Sequence, residues 1–153
     1  MGNPMGKLAP PSITLFYRSS PHSRGRERIR GMEVCTLAAT RAHVRLFGSR
    51  GATELLLIVD TGSTDTWVNR EVLEQAGLMP SLTRDCRTRN NARVRRQVGH
   101  VEIECLGIRM PCPVVFADEE DTNVLGATAL GILGLEVDPT THDVRRKKEL
   151  AAY

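Results

Sequence analysis

Short stretches of alternating apolar and polar residues, separated by Gly, Asn, Pro and Asp, fill the chain from residue 32 onwards. Residues 42–46 and 101–105 each place apolar side chains at every second position, which predicts strands with one buried face. Residues 113–116 predict a further short apolar strand. The uninterrupted aliphatic run 55–59 predicts a strand that is covered on both faces, because neither face carries a polar side chain.

Two short helices are predicted between the strands. Asn69 is a suitable N-cap for a helix over 70–76, and Gly77 provides the residue at which such a helix ends. A second helix is predicted over 127–133, a segment that lies between two glycines. The chain shows no internal repeat. The pattern of short strands and turns as a whole predicts a small, mostly antiparallel β domain over 32–153.

The start of the chain differs in composition from the rest. Residues 1–31 hold six basic residues and one acidic residue, a net charge of +5, whereas 32–153 hold 15 basic and 17 acidic residues, a net charge of −2. Because 1–31 is also rich in Pro and Ser and has no sustained hydrophobic period, we expect a basic, disordered extension. A targeting leader or a start assigned too early are the alternatives. The segment lacks the apolar core of a secretion signal, which favours a cytoplasmic location.

The composition argues against two classes of function, nucleic-acid binding and insertion into a membrane. The chain has one Trp, two Tyr and three Phe, too few for an aromatic platform that binds single-stranded nucleic acid. Its longest aliphatic run is far shorter than a membrane span. We therefore expect neither a nucleic acid nor a membrane as partner.

The four cysteines of the sequence are too sparse for a disulfide scaffold and lack the spacing of a zinc knuckle. His100, Cys105 and Cys112 offer a metal site as an alternative, but reduced structural thiols are the simpler interpretation. We predict no metal and no cofactor.

The candidate chemistry follows the aliphatic run. A buried strand over 55–59 would place Asp60 at the point where the strand gives way to a turn, and Gly62 lets the backbone pass close to the carboxylate. The Gly62 N–H and the Ser63 hydroxyl are near enough in sequence to donate hydrogen bonds to it. An Asx-turn at a strand end is the alternative for this tetrapeptide taken by itself.

Two motifs carry a resemblance to a known family. The segment 55–68, with the sequence LLLIVDTGSTDTWV, resembles the active-site segment of aspartic proteases. The later segment Val124–Leu125–Gly126 is similar to the closing segment of retropepsin-like proteases, and the similarity extends over the glycine and aliphatic residues that follow it up to Pro139. The resemblance covers about 32–146 and implies an all-β, closed, barrel-like acid-protease fold that pairs with an identical copy.

The resemblance also implies the reaction. Hydrolysis by this route needs two carboxylates, and the chain carries one Asp-Thr-Gly, so the second Asp60 would come from another subunit across a two-fold axis. We therefore expect a homodimeric aspartic endopeptidase in which Thr61 braces the two active-site loops and Ser63 bonds the outer oxygen of Asp60. A non-catalytic peptide-binding module and a dimerisation module on the same fold are the alternatives.

A protease of this class needs a hairpin, or flap, that covers the substrate. The counterpart is predicted over 84–98, turning at Asn90 and Asn91, with a tip formed by Arg89, Asn90, Asn91 and Ala92. Unlike retroviral flaps it has no Gly, and with six arginines against one aspartate it has a net charge of +5. A solvated basic face and a preference for acidic peptide substrates are both consistent with this composition.

Three further features concern the periphery of the domain. Retroviral enzymes carry an Arg that ties the dimer together where this chain has Ala127 and Thr128. The acidic segment 118–121 is predicted to be a loop, with contact to a partner's flap or to the basic extension as an alternative. Residues 145–148 are predicted to be a solvated terminus, with a strand over 143–146 that pairs with 135–138 and would fit the dimer edge of the family as the alternative.

Overall fold

The computed structural model describes residues 39–88 and 90–149. The basic extension 1–31 and the tip residue Arg89 lie outside these ranges. The described residues form the strands β1 (Arg41–Gly48), β2 (Gly51–Asp60), β3 (Thr66–Asn69), β4 (Leu82–Arg87), β5 (Arg93–Cys105), β6 (Ile108–Ala117), β7 (Val124–Gly126), β8 (Leu135–Val137) and β9 (Val144–Arg146). They also form the helices α1 (Arg70–Gln75) and α2 (Ala127–Ile132). The predicted all-β character with short helices is confirmed.

A closed barrel is the centre of the fold. The strands follow one another in the order β1, β2, β7, β3, β6 and β5, and β5 pairs back with β1 to close the ring. Strand β4 pairs with β5 on the outside of this ring. The pairs β2–β7 and β3–β6 are parallel, and the other pairings are antiparallel. The predicted barrel-like acid-protease architecture is therefore confirmed.

Apolar side chains at alternate positions of the strands fill the interior of the barrel. Leu46, Leu57, Ile103 and Phe116 are almost fully buried there, each on a different strand of the ring. The two helices add Leu73 from α1 and Ala129, Leu130 and Leu133 from the segment of α2. Burial of these apolar side chains supplies the main driving force for closing the ring.

The helix ends follow the predicted signals closely. The Asn69 side chain accepts a hydrogen bond of 2.8 Å from the Glu71 N–H, which caps α1. The helix ends at Gln75, one residue before the predicted end, and Gly77 then adopts a φ of 78° that favours glycine. Helix α2 likewise ends at Ile132, one residue earlier than predicted.

The prediction that 55–59 is covered on both faces is wrong for the described chain. Leu57 points into the barrel and is buried, whereas Leu56 on the opposite face is 50% exposed. The reason is topological, because a strand of a closed barrel has an inner face that is filled and an outer face that needs a separate cover. Ile58 is half-buried on that outer face, where other side chains pack against it.

A small second sheet follows α2, so the structure shows the alternative of a strand near 143–146 rather than a solvated terminus. Strand β9 pairs antiparallel with β8, with Leu135 opposite Arg146 and Val137 opposite Val144. Arg145 forms ion pairs with Glu136 and Asp138 across this hairpin. Within the described residues, no helix has both the length and the apolar character needed to cross a membrane.

The described cysteines lie in the packed interior rather than in a metal site. Cys105 and Cys112 belong to the barrel core, whereas His100 on β5 is exposed. Within 39–88 and 90–149 the structure brings together no group of three metal-binding side chains. Burial raises the pKa of the Cys105 thiol and raises that of Cys112 to about 11.

The buried thiol of Cys112 predicts a loss of stability at alkaline pH. An unfolded thiol ionises near 9.0, whereas in the fold its pKa is about 11, so the free energy of unfolding should fall as the pH rises through this window. Urea unfolding at a series of pH values measures the slope. The Cys112→Ala variant should show a shallower slope than the native protein, and equal slopes would contradict the assignment.

Candidate active site

Asp60 is the last residue of β2, and its carboxylate is half-buried. The Gly62 N–H donates a hydrogen bond of 3.0 Å to Asp60 Oδ1. A Cβ at position 62 would lie 3.3 Å from that same oxygen, so glycine leaves room for the carboxylate. The predicted contact from Gly62 is confirmed, and it fixes one oxygen of Asp60 relative to the turn.

Ser63 does not make the predicted contact with Asp60. Its hydroxyl donates a hydrogen bond of 2.8 Å to the carbonyl oxygen of Asp65. Its backbone N–H donates to the carbonyl oxygen of Asp60 at 3.1 Å, which closes the turn. Because a hydroxyl has a single proton to donate, Ser63 stabilises the loop after Asp60 rather than the carboxylate itself. Thr61 is exposed beside Asp60, where a second chain could reach it, and its bracing role stays a prediction.

The second motif lies directly beside the first. Strand β7 pairs parallel with the end of β2, so that Val124 is opposite Ile58 and Gly126 is opposite Asp60. A Cβ on Gly126 would come within 2.3 Å of the Asp65 carbonyl oxygen, which excludes any other residue without movement of the loop. The two segments that carry the family resemblance thus form one structural unit.

The first turn of α2 holds the loop after Asp60 in place. The Ala127 N–H donates to the Ser63 carbonyl at 2.8 Å, and the Thr128 N–H donates to the Thr64 carbonyl at 3.1 Å. These N–H groups have no partner within their own helix, so the loop satisfies them while it is itself fixed. The positions where retroviral enzymes carry an Arg therefore contribute backbone bonds to the site in this chain.

Thr66 is a supporting residue that the sequence prediction did not include. Its side chain is 1% exposed, and its hydroxyl accepts a hydrogen bond of 3.0 Å from the Gly126 N–H. The bond joins β3 to β7 directly beside Asp60. The sequence did contain a signal for this residue, since Thr66 is the polar residue directly before the apolar pair Trp67 and Val68.

An apolar group of side chains covers the face of the sheet on which Asp60 lies. Ile58 and Asp60 are two residues apart in β2, so their side chains point to the same face. Ile58 packs there against a cluster of buried side chains, which we call the outer cluster: Trp67, Cys86, Val98, Val115, Ala117 and Val124, with Val94 at its edge. Three of these residues, Cys86, Val94 and Val98, belong to the hairpin β4–β5.

The hairpin β4–β5 is the predicted flap, and it lies over this face. Its turn includes Asn91 with a φ of 61°, and the Thr88 N–H donates to the Ala92 carbonyl at 3.0 Å. The predicted turn at Asn90 and Asn91 is confirmed. The structure differs in one respect, because β5 continues without a break to Cys105. The flap strand and the predicted strand 101–105 are therefore one element that joins the barrel to the hairpin.

Register divides the arginines of the hairpin between its two faces. Arg84 lies opposite Arg96 and Cys86 opposite Val94, so both arginines share the face that packs on the outer cluster. We call this the inner face of the hairpin. Arg87, Arg93 and Arg95 point outwards.

Charges of both signs surround the Cys86 thiol on the inner face. Burial raises the pKa of the Cys86 thiol, the charge of Asp65 raises it further, and the charges of Arg84 and Arg96 lower it. Asp65 of the active-site loop and Arg84 therefore both lie within electrostatic reach of the centre of the inner face.

The acidic segment 118–121 forms the predicted loop, between β6 and β7. Its carboxylates contact Arg96 of the same chain: Asp118 at 3.0 Å, Glu120 at 3.8 Å and Asp121 at 2.8 Å. Hairpin and loop are therefore neighbours within one barrel, and a contact of the segment with a partner or with the basic extension stays an untested alternative.

These features define a class of protein. A closed barrel places an Asp-Thr-Gly turn beside a buried apolar-apolar-Gly strand and beneath a hairpin, which is the arrangement of the acid proteases. A family model described as aspartyl protease matches residues 42–137, more than half of the chain. The chain therefore belongs to the retropepsin-like aspartyl protease family. A search of the curated proteins found no match.

Removal of the Thr66 hydroxyl should destabilise the unit of β3 and β7. In the Thr66→Val variant the buried Gly126 N–H loses its acceptor, which should lower the free energy of unfolding by about 1–3 kcal/mol. Urea unfolding followed by the fluorescence of Trp67, the one tryptophan of the sequence, measures the change. Thr64→Val is the matched control at an exposed side chain, and a similar loss in both variants would contradict the role of Thr66.

Proposed function

We propose that this chain is an aspartic endopeptidase whose catalytic dyad consists of Asp60 from each of two identical subunits. The observation that carries the proposal is the position of the Asp60 carboxylate, which the Gly62 N–H fixes at the end of β2, directly beside Gly126. Family membership supports a protease-type function. One Asp-Thr-Gly in the sequence supports the pairing of two subunits.

The reaction follows from the electrostatics of two adjacent carboxylates, a pattern known from aspartic proteases as a class. Carboxylates about 3 Å apart do not both ionise, so the pair shares one proton. The ionised Asp60 takes a proton from the bound water as the water attacks the peptide carbonyl. The protonated Asp60 donates a hydrogen bond to the carbonyl oxygen and transfers its proton to the leaving nitrogen as the C–N bond breaks, so the pair again holds one proton when the acid and amine products leave. The mechanism requires water and no metal or cofactor.

The surface of the hairpin supports an extended peptide as substrate, with a preference for acidic side chains. Of the two arginines on the inner face, Arg96 is neutralised by the loop 118–121, whereas Arg84 is exposed. No ion pair of Arg84 is found within the described residues. A carboxylate of the substrate that lies beneath the hairpin would therefore find in Arg84 a cation that no described carboxylate engages in an ion pair.

The Asp60→Asn variant tests the dyad. It should lose cleavage of a peptide library between about pH 4 and pH 7, because neither subunit then supplies a base, while sedimentation should still show the dimer. Glu54→Gln is the matched control, since it makes the same change at an exposed position of the same strand. Equal residual cleavage in Asp60→Asn and in the native protein would reject the enzyme. Peptide binding without turnover in the native protein would favour a binding module.

Matched peptides test the preference for acidic substrates. A peptide with Glu beside the scissile bond should be cleaved about two- to fivefold more efficiently than its Gln counterpart, as expected for an exposed ion pair. The advantage should shrink when the salt concentration rises from about 50 to about 500 mM. Arg84→Gln should abolish it, whereas Arg93→Gln on the outward face should not. An advantage that persists in Arg84→Gln would contradict the role of Arg84.

A further inference from the structure

Arg96 occupies a central position on the inner face of the hairpin. Its side chain is 11% exposed, and that of Asp121 is 6% exposed. Arg96 Nε lies 2.8 Å from Asp121 Oδ2, and a second guanidinium nitrogen lies 3.4 Å from Asp121 Oδ1. The pair is therefore bidentate and largely withdrawn from water, which makes it geometrically specific in a way that surface ion pairs are not.

Asp121 is itself held firmly within its loop. Its Oδ2 accepts a hydrogen bond of 2.9 Å from the Asp118 N–H, and its own N–H donates to the Asp118 carbonyl at 3.1 Å. Asp118 adds a contact of 3.0 Å to Arg96. The guanidinium thus meets a preformed turn whose carboxylates already point toward the hairpin.

The loop that holds Asp121 leads directly into the active site. Three residues after Asp121 the chain reaches Val124, which belongs to the outer cluster and lies opposite Ile58. Two residues further on, Gly126 lies opposite Asp60. The Arg96–Asp121 pair therefore joins the hairpin to the segment that forms the neighbouring strand of the catalytic residue.

The pair also resolves a local conflict of charge. Arg84 and Arg96 lie directly opposite each other on one face of β4–β5, an arrangement that is unfavourable for like charges. The carboxylates of Asp118, Glu120 and Asp121 offset the charge of Arg96. Without them the inner face of the hairpin would carry two adjacent uncompensated cations, which would destabilise the pairing of β4 with β5.

A neighbouring ion pair provides a contrast. Arg95 Nε lies 3.0 Å from Asp85 Oδ1, but these side chains are 75% and 72% exposed. Both residues belong to the hairpin, so this pair joins β4 to β5 and makes no connection to the rest of the barrel. Exposed pairs of this kind contribute little to stability.

We propose that the Arg96–Asp121 pair is a latch that holds the hairpin over the Asp60 face and thereby sets the affinity for substrate. The proposal rests on the proposed function for its catalytic consequence. Arg96 is a positioning residue, since it contacts the loop that leads to β7 rather than the reacting atoms. The bonds that fix the Asp60 loop itself, from Gly62, Ala127 and Thr128, are independent of the latch.

The variant Arg96→Met keeps the length and the apolar stem of the side chain while it removes the guanidinium. KM for a cleaved peptide should rise about tenfold with kcat changed less than about threefold, because binding is weakened while the Asp60 loop stays in place. Arg95→Met is the matched control on the adjacent residue and should leave both constants close to those of the native protein. An unchanged KM in Arg96→Met would overturn the proposal.

Hydrogen exchange gives a readout that does not depend on peptidase activity. Amides of the hairpin, 82–98, should exchange at least about tenfold faster in Arg96→Met than in Arg95→Met, while amides of β1 keep their protection. Equal exchange of the hairpin in the two variants would overturn the latch. If the native protein cleaves no peptide, the Asp60→Asn comparison rejects the proposed function, and the exchange experiment still decides whether the latch holds the hairpin.

Two further variants keep the test decisive if Arg96→Met fails to fold. Asp121→Asn removes the partner charge, and Arg96→Lys keeps the charge of Arg96 but not its bidentate geometry. Both should increase hairpin exchange, with Arg96→Lys intermediate between the native protein and Asp121→Asn. An Arg96→Lys protein that is indistinguishable from the native protein in hairpin exchange would show that charge alone is sufficient, and would overturn the bidentate latch.

Discussion

The parallel pairing of β7 with the end of β2 is the constraint on which the rest of the site depends. It places Gly126 opposite Asp60 and leaves no space for a Cβ, because the Asp65 carbonyl occupies that space. The same strand receives the Thr66 hydroxyl on its N–H and begins the helix whose first N–H groups bind the active-site loop. The Asp60 carboxylate is thus positioned by a strand whose paired residue, Gly126, lies 66 residues further along the chain.

Local features of the sequence predicted much of the fold. The cap at Asn69, the turn at Asn90 and Asn91 and the alternation along β1 each depend on residues close together in the chain, so each could be inferred from the sequence alone. The Asp60 and Gly126 motifs could be recognised for the same reason. Their direct pairing is a long-range contact, and only the resemblance to a family suggested that the two motifs belong together.

The differences from prediction arise where the neighbours of a residue come from distant parts of the chain. The aliphatic run of β2 gives no indication that one of its faces lies outside a barrel, so the exposure of Leu56 was not foreseen. The Ser63 hydroxyl has a single proton to donate, and only the shape of the loop selects the Asp65 carbonyl as its acceptor. Arg96 and Asp121 are 25 residues apart in the sequence. Each stands among other residues of the same charge, so nothing in the sequence indicated that these two would form the pair.

The charge of the hairpin illustrates why composition is a poor guide to a binding surface. Counted along the sequence, the flap segment is strongly basic, but its described arginines differ in their surroundings. Arg96 is compensated by the loop 118–121, Arg95 is compensated by Asp85, and Arg84 remains exposed on the inner face. The charge on the inner face therefore depends on individual residues such as Arg84 and Asp65, both of which act on the Cys86 thiol, rather than on the net charge of the segment. The described part of this hairpin has no glycine, packs on the outer cluster through its inner face and contacts the loop 118–121 through Arg96, so its two strands are held to the barrel.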